Sequence, residues 1–197
     1  LFLSLPATLA LLIASEEITT SLFGYGSFDS LSVKNSSIAL FYFALGLPAF
    51  SFIKIFSSFL FARHNTKTPF YFSVFSVILN ITISLYFFNK IGFIIIPIAT
   101  TISSWLNALL LLIYLTNKGY FSIKFDLIKS FLKIIFSTTL TSYIFYQLIN
   151  FFNDNLSYDS EYKLLTIILL VIITFVIYIL ISILTKAFKI SDIKLKY

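Results

Sequence analysis

Residues 70–115 read FYFSVFSVILNITISLYFFNKIGFIIIPIATTISSWLNALLLLIYL, and this stretch decides the fold. It runs 46 residues with a single charge, Lys90. A helix crossing a bilayer needs about 20 mostly apolar residues, with a range of roughly 17–25. Two such segments fit here, 70–88 and 91–115, with Gly92 between them as a breaker. Barrel strands are excluded because they need only about 9–11 residues in strict alternation, and no such alternation is seen. Outward from this pair, four further runs meet the same test: 1–15, 38–61, 127–149 and 164–185. The sequence therefore predicts an all-α, polytopic helical membrane protein with six transmembrane helices. Its longest connectors are 16–37, 116–126 and 150–163.

The composition of the whole chain agrees. Of 197 residues 59% are hydrophobic and 11% charged, with a mean hydropathy of +0.99. Soluble domains carry about 25% charged residues, so too few are present here to cover a water-facing surface. Disorder is excluded because its signature is low hydrophobicity. Cysteine is absent and histidine occurs once, as His64. That removes disulfides, thiolate or His-cluster metal sites and a Ser/His/Asp triad, so no metal and no cofactor is expected. Methionine is also absent, and the chain opens inside an apolar run without a basic flank or cleavage site. This suggests the downstream part of a longer protein, and no signal peptide.

Orientation follows from basic residues in short loops. Arg63 and Lys67 lie between the second and third spans. Lys118 and Lys124 lie between the fourth and fifth, Lys129 and Lys133 at the start of the fifth, and Lys186, Lys189, Lys194 and Lys196 follow the sixth. The opposite side has only Lys34, Lys90 and Lys163, together with the acids Glu16, Glu17, Asp29, Asp154, Asp159 and Glu161. The ten-residue side, including the C-terminus, is expected to be cytoplasmic. The net charge of +6 then reflects topology, and nucleic acid is not expected as a partner.

Polar residues inside the spans form stripes. At about 100° per residue, Ser73, Ser76, Asn80 and Ser84 fall on one face of the third span, with Thr82 opposite. Thr100, Ser103, Ser104 and Asn107 share a face of the fourth, extended by Tyr114. Ser51, Lys54, Ser57 and Ser58 share one of the second. Two readings stand for Asn80 and Asn107: hydrogen bonding between helices, or lining a pathway. Lys54 either faces a watery cavity or snorkels toward the cytoplasmic end. The first four spans read as an inner bundle, whereas the sixth is greasy nearly all round and reads as peripheral. The fifth, with Ser137, Thr138, Thr139, Thr141, Ser142, Tyr143 and Tyr146, is positioned to meet it along a polar seam. Pro48, just after Gly46, and Pro97 each remove a backbone hydrogen bond and permit a kink. Thr68-Pro69 is expected to open the third span as an N-cap followed by a proline at the first helical position.

The ordered stretches Leu22–Phe28, Ala39–Phe50, Phe61–Pro69 and Ser104–Leu110 together resemble the MurJ/MviN lipid II flippases. Leu22-Phe23-Gly24-Tyr25-Gly26-Ser27-Phe28 is similar to the family's L-F-x-x-G-x-F turn. Ala39-Leu40, Tyr42 and Ala44-Leu45-Gly46-Leu47-Pro48-Ala49-Phe50 resemble its next helix, where Lys54 matches the usual lysine. Phe61-Ala62-Arg63-His64-Asn65-Thr66-Lys67-Thr68-Pro69 resembles the loop Y-A-R-x-D-T-K-T-P, with Asn65 in place of the common Asp and Phe61 in place of Tyr. Asn80 and Ser104-Trp105-Leu106-Asn107-Ala108-Leu109-Leu110 continue the match, which covers residues 6–115. Beyond them the likeness is one of position and hydropathy.

The resemblance implies a piece of a fourteen-helix, MOP-type transporter. Residues 1–116 would be the last four helices of the second lobe, the first of them clipped. Residues 117–197 would be an extra helix pair with a cytoplasmic tail, bordering a groove for a lipid tail. It also implies residence in the bacterial inner membrane and translocation of undecaprenyl-linked peptidoglycan precursor by alternating access. The implied partners are that lipid-linked oligosaccharide, membrane lipid and the absent N-terminal lobe. The family's head-group contacts lie mostly in absent segments, so no substrate contact transfers. The matched residues Arg63, Asn65, Thr66, Lys67, Thr68 and Pro69 form a cytoplasmic loop motif whose implied role is gating or helix-end anchoring; Arg63 and Lys67 equally serve as topology anchors. Candidate cavity or gating residues are Lys54, Asn80, Asn107, Pro48 and Pro97.

Two alternatives are transport of another polyprenyl-linked polysaccharide and a non-transporting scaffold of cell-wall assembly. The loop motif argues against the first, and the polar stripes against the second. An enzyme acting on the same lipid needs acids near its substrate. The acidic clusters fall on the outer side, and no nucleotide-sugar domain is present, so an enzyme is not expected.

Overall fold

The computed structural model describes residues 1–122 and 124–187. Lys189, Lys194 and Lys196 of the expected tail lie outside the described residues. Among those described, every regular element is helical: α1 (Ser4–Ile13), α2 (Ser15–Phe23), α3 (Ser30–Ala44), α4 (Leu47–Ala62), α5 (Lys67–Ile91), α6 (Ile95–Asn117), α7 (Phe125–Phe151), α8 (Asn153–Leu156) and α9 (Lys163–Leu184). A single 3-10 turn, Gly92–Ile94, leads into α6.

Helices occupy all six expected apolar runs, with boundaries set by local chemistry. The stretch Lys67–Asn117 and the helix Lys163–Leu184 are long and apolar enough to cross a membrane. The bent pair Ser30–Ala44 and Leu47–Ala62 joins them if taken as one span. The first stretch is a hairpin, folded back at Gly92, whose φ of 76° is readily reached only without a Cβ. Cross-links from α5 to α6 pair residues successively nearer that turn, as antiparallel packing requires.

Three expectations shift. The connector 16–37 is helical over much of its length. Ala14 breaks α1 from α2, and Asp29 opens α3 by accepting the Ser32 amide at 2.8 Å. Hydrogen bonding from the Ser32 hydroxyl, and then from its amide, holds the exposed Asp29 carboxyl below its ordinary range. The helix α5 begins at Lys67, so Pro69 is its third residue and not its first, and Thr66, not Thr68, is the cap residue. Pro97 is the third residue of α6, in the first turn, where amides have no intrahelical acceptor. It therefore does not kink a helix interior.

Pro48 lies beside the break between α3 and α4. It is the second residue of α4, and α3 and α4 meet at 41°. A helix broken in a bilayer exposes carbonyls that water cannot satisfy. Side chains of α6 fill that role: Thr101 Oγ1 donates to the Tyr42 carbonyl at 2.7 Å and Trp105 Nε1 to the Leu45 carbonyl at 3.0 Å. Gly46 fits this junction because a Cβ there would lie 3.2 Å from Phe50 Cε2, Thr101 Oγ1 and the Phe43 carbonyl.

The described residues divide into two compact units, Ile38–Ser122 with Leu1, and Phe2–Ser37 with 124–187. The first holds α4, α5 and α6 around Phe56, Leu60, Leu111 and Leu115. In the second, α1, α2, α7, α8 and α9 pack around Ala14, Phe145, Ile149, Leu156, Ile167 and Leu170. The expected polar seam between α7 and α9 is present, with Ser137 Oγ and Thr185 Oγ1 2.9 Å apart. Beside it Tyr178 donates to the Phe2 carbonyl at 2.6 Å. The outward face of α9, including Ile168, Leu169, Ile172 and Val176, stays exposed.

Candidate functional site

The polar stripes of α5 and α6 face each other. Asn80 Nδ2 donates to Thr100 Oγ1 at 3.0 Å and to Ser103 Oγ at 3.3 Å. Nearer the far end of the hairpin, Asn107 Nδ2 reaches Ser73 Oγ at 3.4 Å. Thr100 and Ser104 also turn their hydroxyls back on their own helix, to the carbonyls of Ile96 and Thr100. Thr82, on the opposite face, bonds only the Ile78 carbonyl.

These side chains line a cleft of about 390 Å³, closed on its third side by Phe50 and Ile53 of α4. Asn107 is 6% exposed, and among the described residues its Oδ1 and the buried Ser84 Oγ have no hydrogen-bond partner. A buried amide oxygen without a donor costs about 1–3 kcal/mol. The cleft offers hydroxyl and amide oxygens and no charge. Among the described residues, no group of acids and histidines could hold a metal ion.

The loop before α5 is the second element. His64 adopts φ 58° and closes α4, with the Asn65 amide returning to the Leu60 carbonyl at 3.0 Å. Asn65 then organises the start of α5. Its Oδ1 accepts the Thr68 amide at 3.2 Å, while its Nδ2 donates to Thr68 Oγ1 at 3.0 Å and Tyr114 Oη at 3.1 Å. Arg63 lies over two rings, 4.2 Å from the Tyr120 centroid and 4.9 Å from Phe59. It thus ties the loop to the connector after α6, an arrangement that supports cation–π attraction. Thr66 and Lys67 line an open groove with Ser57, Tyr71 and Ser73.

The structure therefore gathers Asn80 with Asn107, and Asn65 with Thr68. Pro48 sits at the α3–α4 break. Lys54 is exposed on α4, and among the described residues it touches neither cluster. Sequence reasoning missed Lys163, which is only 3% exposed. It had been placed among the three basic residues of the lysine-poor side. A lysine opening the greasiest run, with Tyr158 and Tyr162 just before it, was the available signal.

A broken helix pair, a hairpin with facing polar stripes and a greasy α9 define a helical membrane protein. Comparison with known proteins narrows this. The family model "Lipid II flippase MurJ" matches residues 1–167. A probable lipid II flippase MurJ of Rickettsia prowazekii is 34% identical over 170 residues, covering 86% of this chain and 33% of the relative. The lipid II flippase MurJ of Thermosipho africanus is 30% identical over 178 residues, 90% of this chain and 34% of that protein. A solved structure, "Lipid II flippase MurJ, inward closed conformation", superposes with a TM-score of 0.75 at 25% identity, covering 94% of this chain and 36% of that one. The chain belongs to the MurJ lipid II flippase family. It spans about a third of the length of the relatives it matches.

Proposed function

We propose that this chain is the C-terminal part of a bacterial inner-membrane flippase that translocates undecaprenyl-linked peptidoglycan precursor, lipid II, by alternating access. Family membership over residues 1–167 carries the reading. The cleft between α5 and α6 supports it, since its unpartnered Asn107 oxygen suits a surface that changes partners during transport.

In this reading residues 1–116 complete the second lobe and 117–197 form the extra pair with its cytoplasmic tail, six spans in all. The loops around Arg63 and Lys118 face the cytoplasm, and no step of covalent catalysis is required. Asn80 and Asn107 belong to the moving interior. Arg63, Asn65, Thr66, Lys67, Thr68 and Pro69 hold the cytoplasmic end of α5. Pro48 permits the bend between α3 and α4, and Lys54 faces the remainder of the pathway. Pro97 keeps its place in the site as the buried first-turn residue that seats α6. The work of the cavity is shared with the lobe outside this sequence.

The test is replacement of the resident flippase by the full natural protein in cells. Lipid II reaching the outer face is measured by an enzyme confined to that side. Restored growth with restored outer-face cleavage is expected. Growth failure with lipid II retained inside, despite normal protein levels, would refute the proposal.

A further inference from the structure

The Gly24–Phe28 turn was recognised as a motif without a role, and Lys163 is the buried cation that the sequence left among the loop charges. The structure joins them. Lys163 Nζ donates to the carbonyl of Gly24 at 2.7 Å and to that of Tyr158. It lies 4.2 Å from the ring centroid of Tyr25 and 4.9 Å from that of Tyr158. Tyr158 completes the enclosure by donating its hydroxyl to the Phe28 carbonyl at 2.8 Å. All of these residues belong to one compact unit.

The placement is not a device for stabilising α9. Lys163 is the first residue of that helix, at the positive end of its dipole, where a cation is disfavoured. Its ammonium instead reaches Gly24, the C-cap of α2, where orphan carbonyls and the negative dipole end favour a cation. Two tyrosine faces supply the rest of the attraction. Gly24 permits this approach, since a Cβ there would stand 2.6 Å from the Thr20 carbonyl and 3.2 Å from Tyr158 Cε2. Among the described residues, the partners of the buried ammonium are carbonyls and rings, not a carboxylate. Such a contact opposes a large desolvation cost with several moderate attractions, and lysine is readily rehydrated. A contact balanced in this way can open.

We infer that Lys163 is a positioning residue forming a charge-dependent, reversible latch. It fixes the start of α9 to the turn after α2, so that residues 24–28 and 158–163 open and close as one unit. This goes beyond the transport reading, since it concerns how the last helix is held whatever the chain carries.

Hydrogen–deuterium exchange of the full natural protein in lipid nanodiscs tests it. In the unmodified protein the two segments are expected to exchange at a common rate. Lys163→Met, similar in length but neutral, should accelerate both at least tenfold and leave α5 and α6 unchanged. Lys163→Arg should restore most of the protection, because it keeps the charge and stacks on tyrosine. If Lys163→Met does not assemble, Tyr25→Leu, which removes one ring face, should accelerate both segments severalfold. Equal protection in the Met and Arg proteins, or acceleration of only one segment, would overturn the latch. The readout involves no transport, so an inactive flippase does not affect it.

Discussion

Asn65 shows what a single side chain contributes. It accepts the Thr68 amide and donates to the hydroxyls of Thr68 and Tyr114. Losing a helix-start acceptor costs about 0.5–2 kcal/mol, so Asn65→Ala should lower thermal stability in detergent by that amount. Asn65→Asp should behave nearly as the parent. Aspartate still accepts the amide, and both hydroxyls can rotate to donate to it. The departure from the family's usual aspartate is thus compatible with an unchanged loop; a large loss on Asn65→Asp would show that the amide donor itself is needed. Asn80 and Asn107 pose a different question. Interhelical hydrogen bonds in membranes average about 0.6 kcal/mol, so as mere packing groups both could be replaced at little cost. Cysteines at these positions in the full protein should react with a small aqueous thiol reagent faster than one at Ile168 on the outer face of α9. Equal rates would remove the pathway.

At the scale of elements, the break between α3 and α4 depends on α6. Pro48 and Gly46 permit the bend, but Thr101 and Trp105 make it tolerable by bonding the freed carbonyls. The double variant Thr101→Val with Trp105→Phe leaves both carbonyls without those donors. A net cost of about 1 kcal/mol per bond is expected, together with a straighter junction than the present 41°. Spin labels placed on α3 and α4 would report it as a longer distance. An unchanged distance would assign the bend to Pro48 alone. The bend site was legible in the sequence because proline has no amide and glycine no side chain. The carbonyl partners were not, since they lie 59 and 60 residues away in the chain.

At the scale of the molecule, the proposed orientation rests on the lysine and arginine bias of the loops. Single cysteines replacing Asn117 and Asn155 in the full protein should separate by side. An impermeant maleimide added to intact spheroplasts is expected to label position 155 and spare 117 until the membrane is permeabilised. The reverse pattern would invert the topology and place Arg63 and Lys118 outside. The grouping of helices is a separate matter from their order. The first helices α1 and α2 pack with α7 to α9, in a unit distinct from that of α4 to α6. Hydropathy carries no information on this, because an apolar face matches lipid and protein alike.

By itself the sequence determined that the chain is helical and membrane-embedded, where its apolar runs lie and that α5 and α6 present polar faces. Each of these follows from length, period and composition, which are local properties of the chain. Ordered motifs such as 61–69 determined the family. Only the tertiary structure decided what those faces meet: Asn80 with Thr100 and Ser103, Asn65 with Tyr114. It also took Lys163 from the tally of loop charges and buried it against Gly24, Tyr25 and Tyr158. The physical reason is common to all of them. A hydrogen bond or a cation–π contact is set by distance and direction in space, and its partner is separated in the chain by connectors whose path the local pattern does not encode.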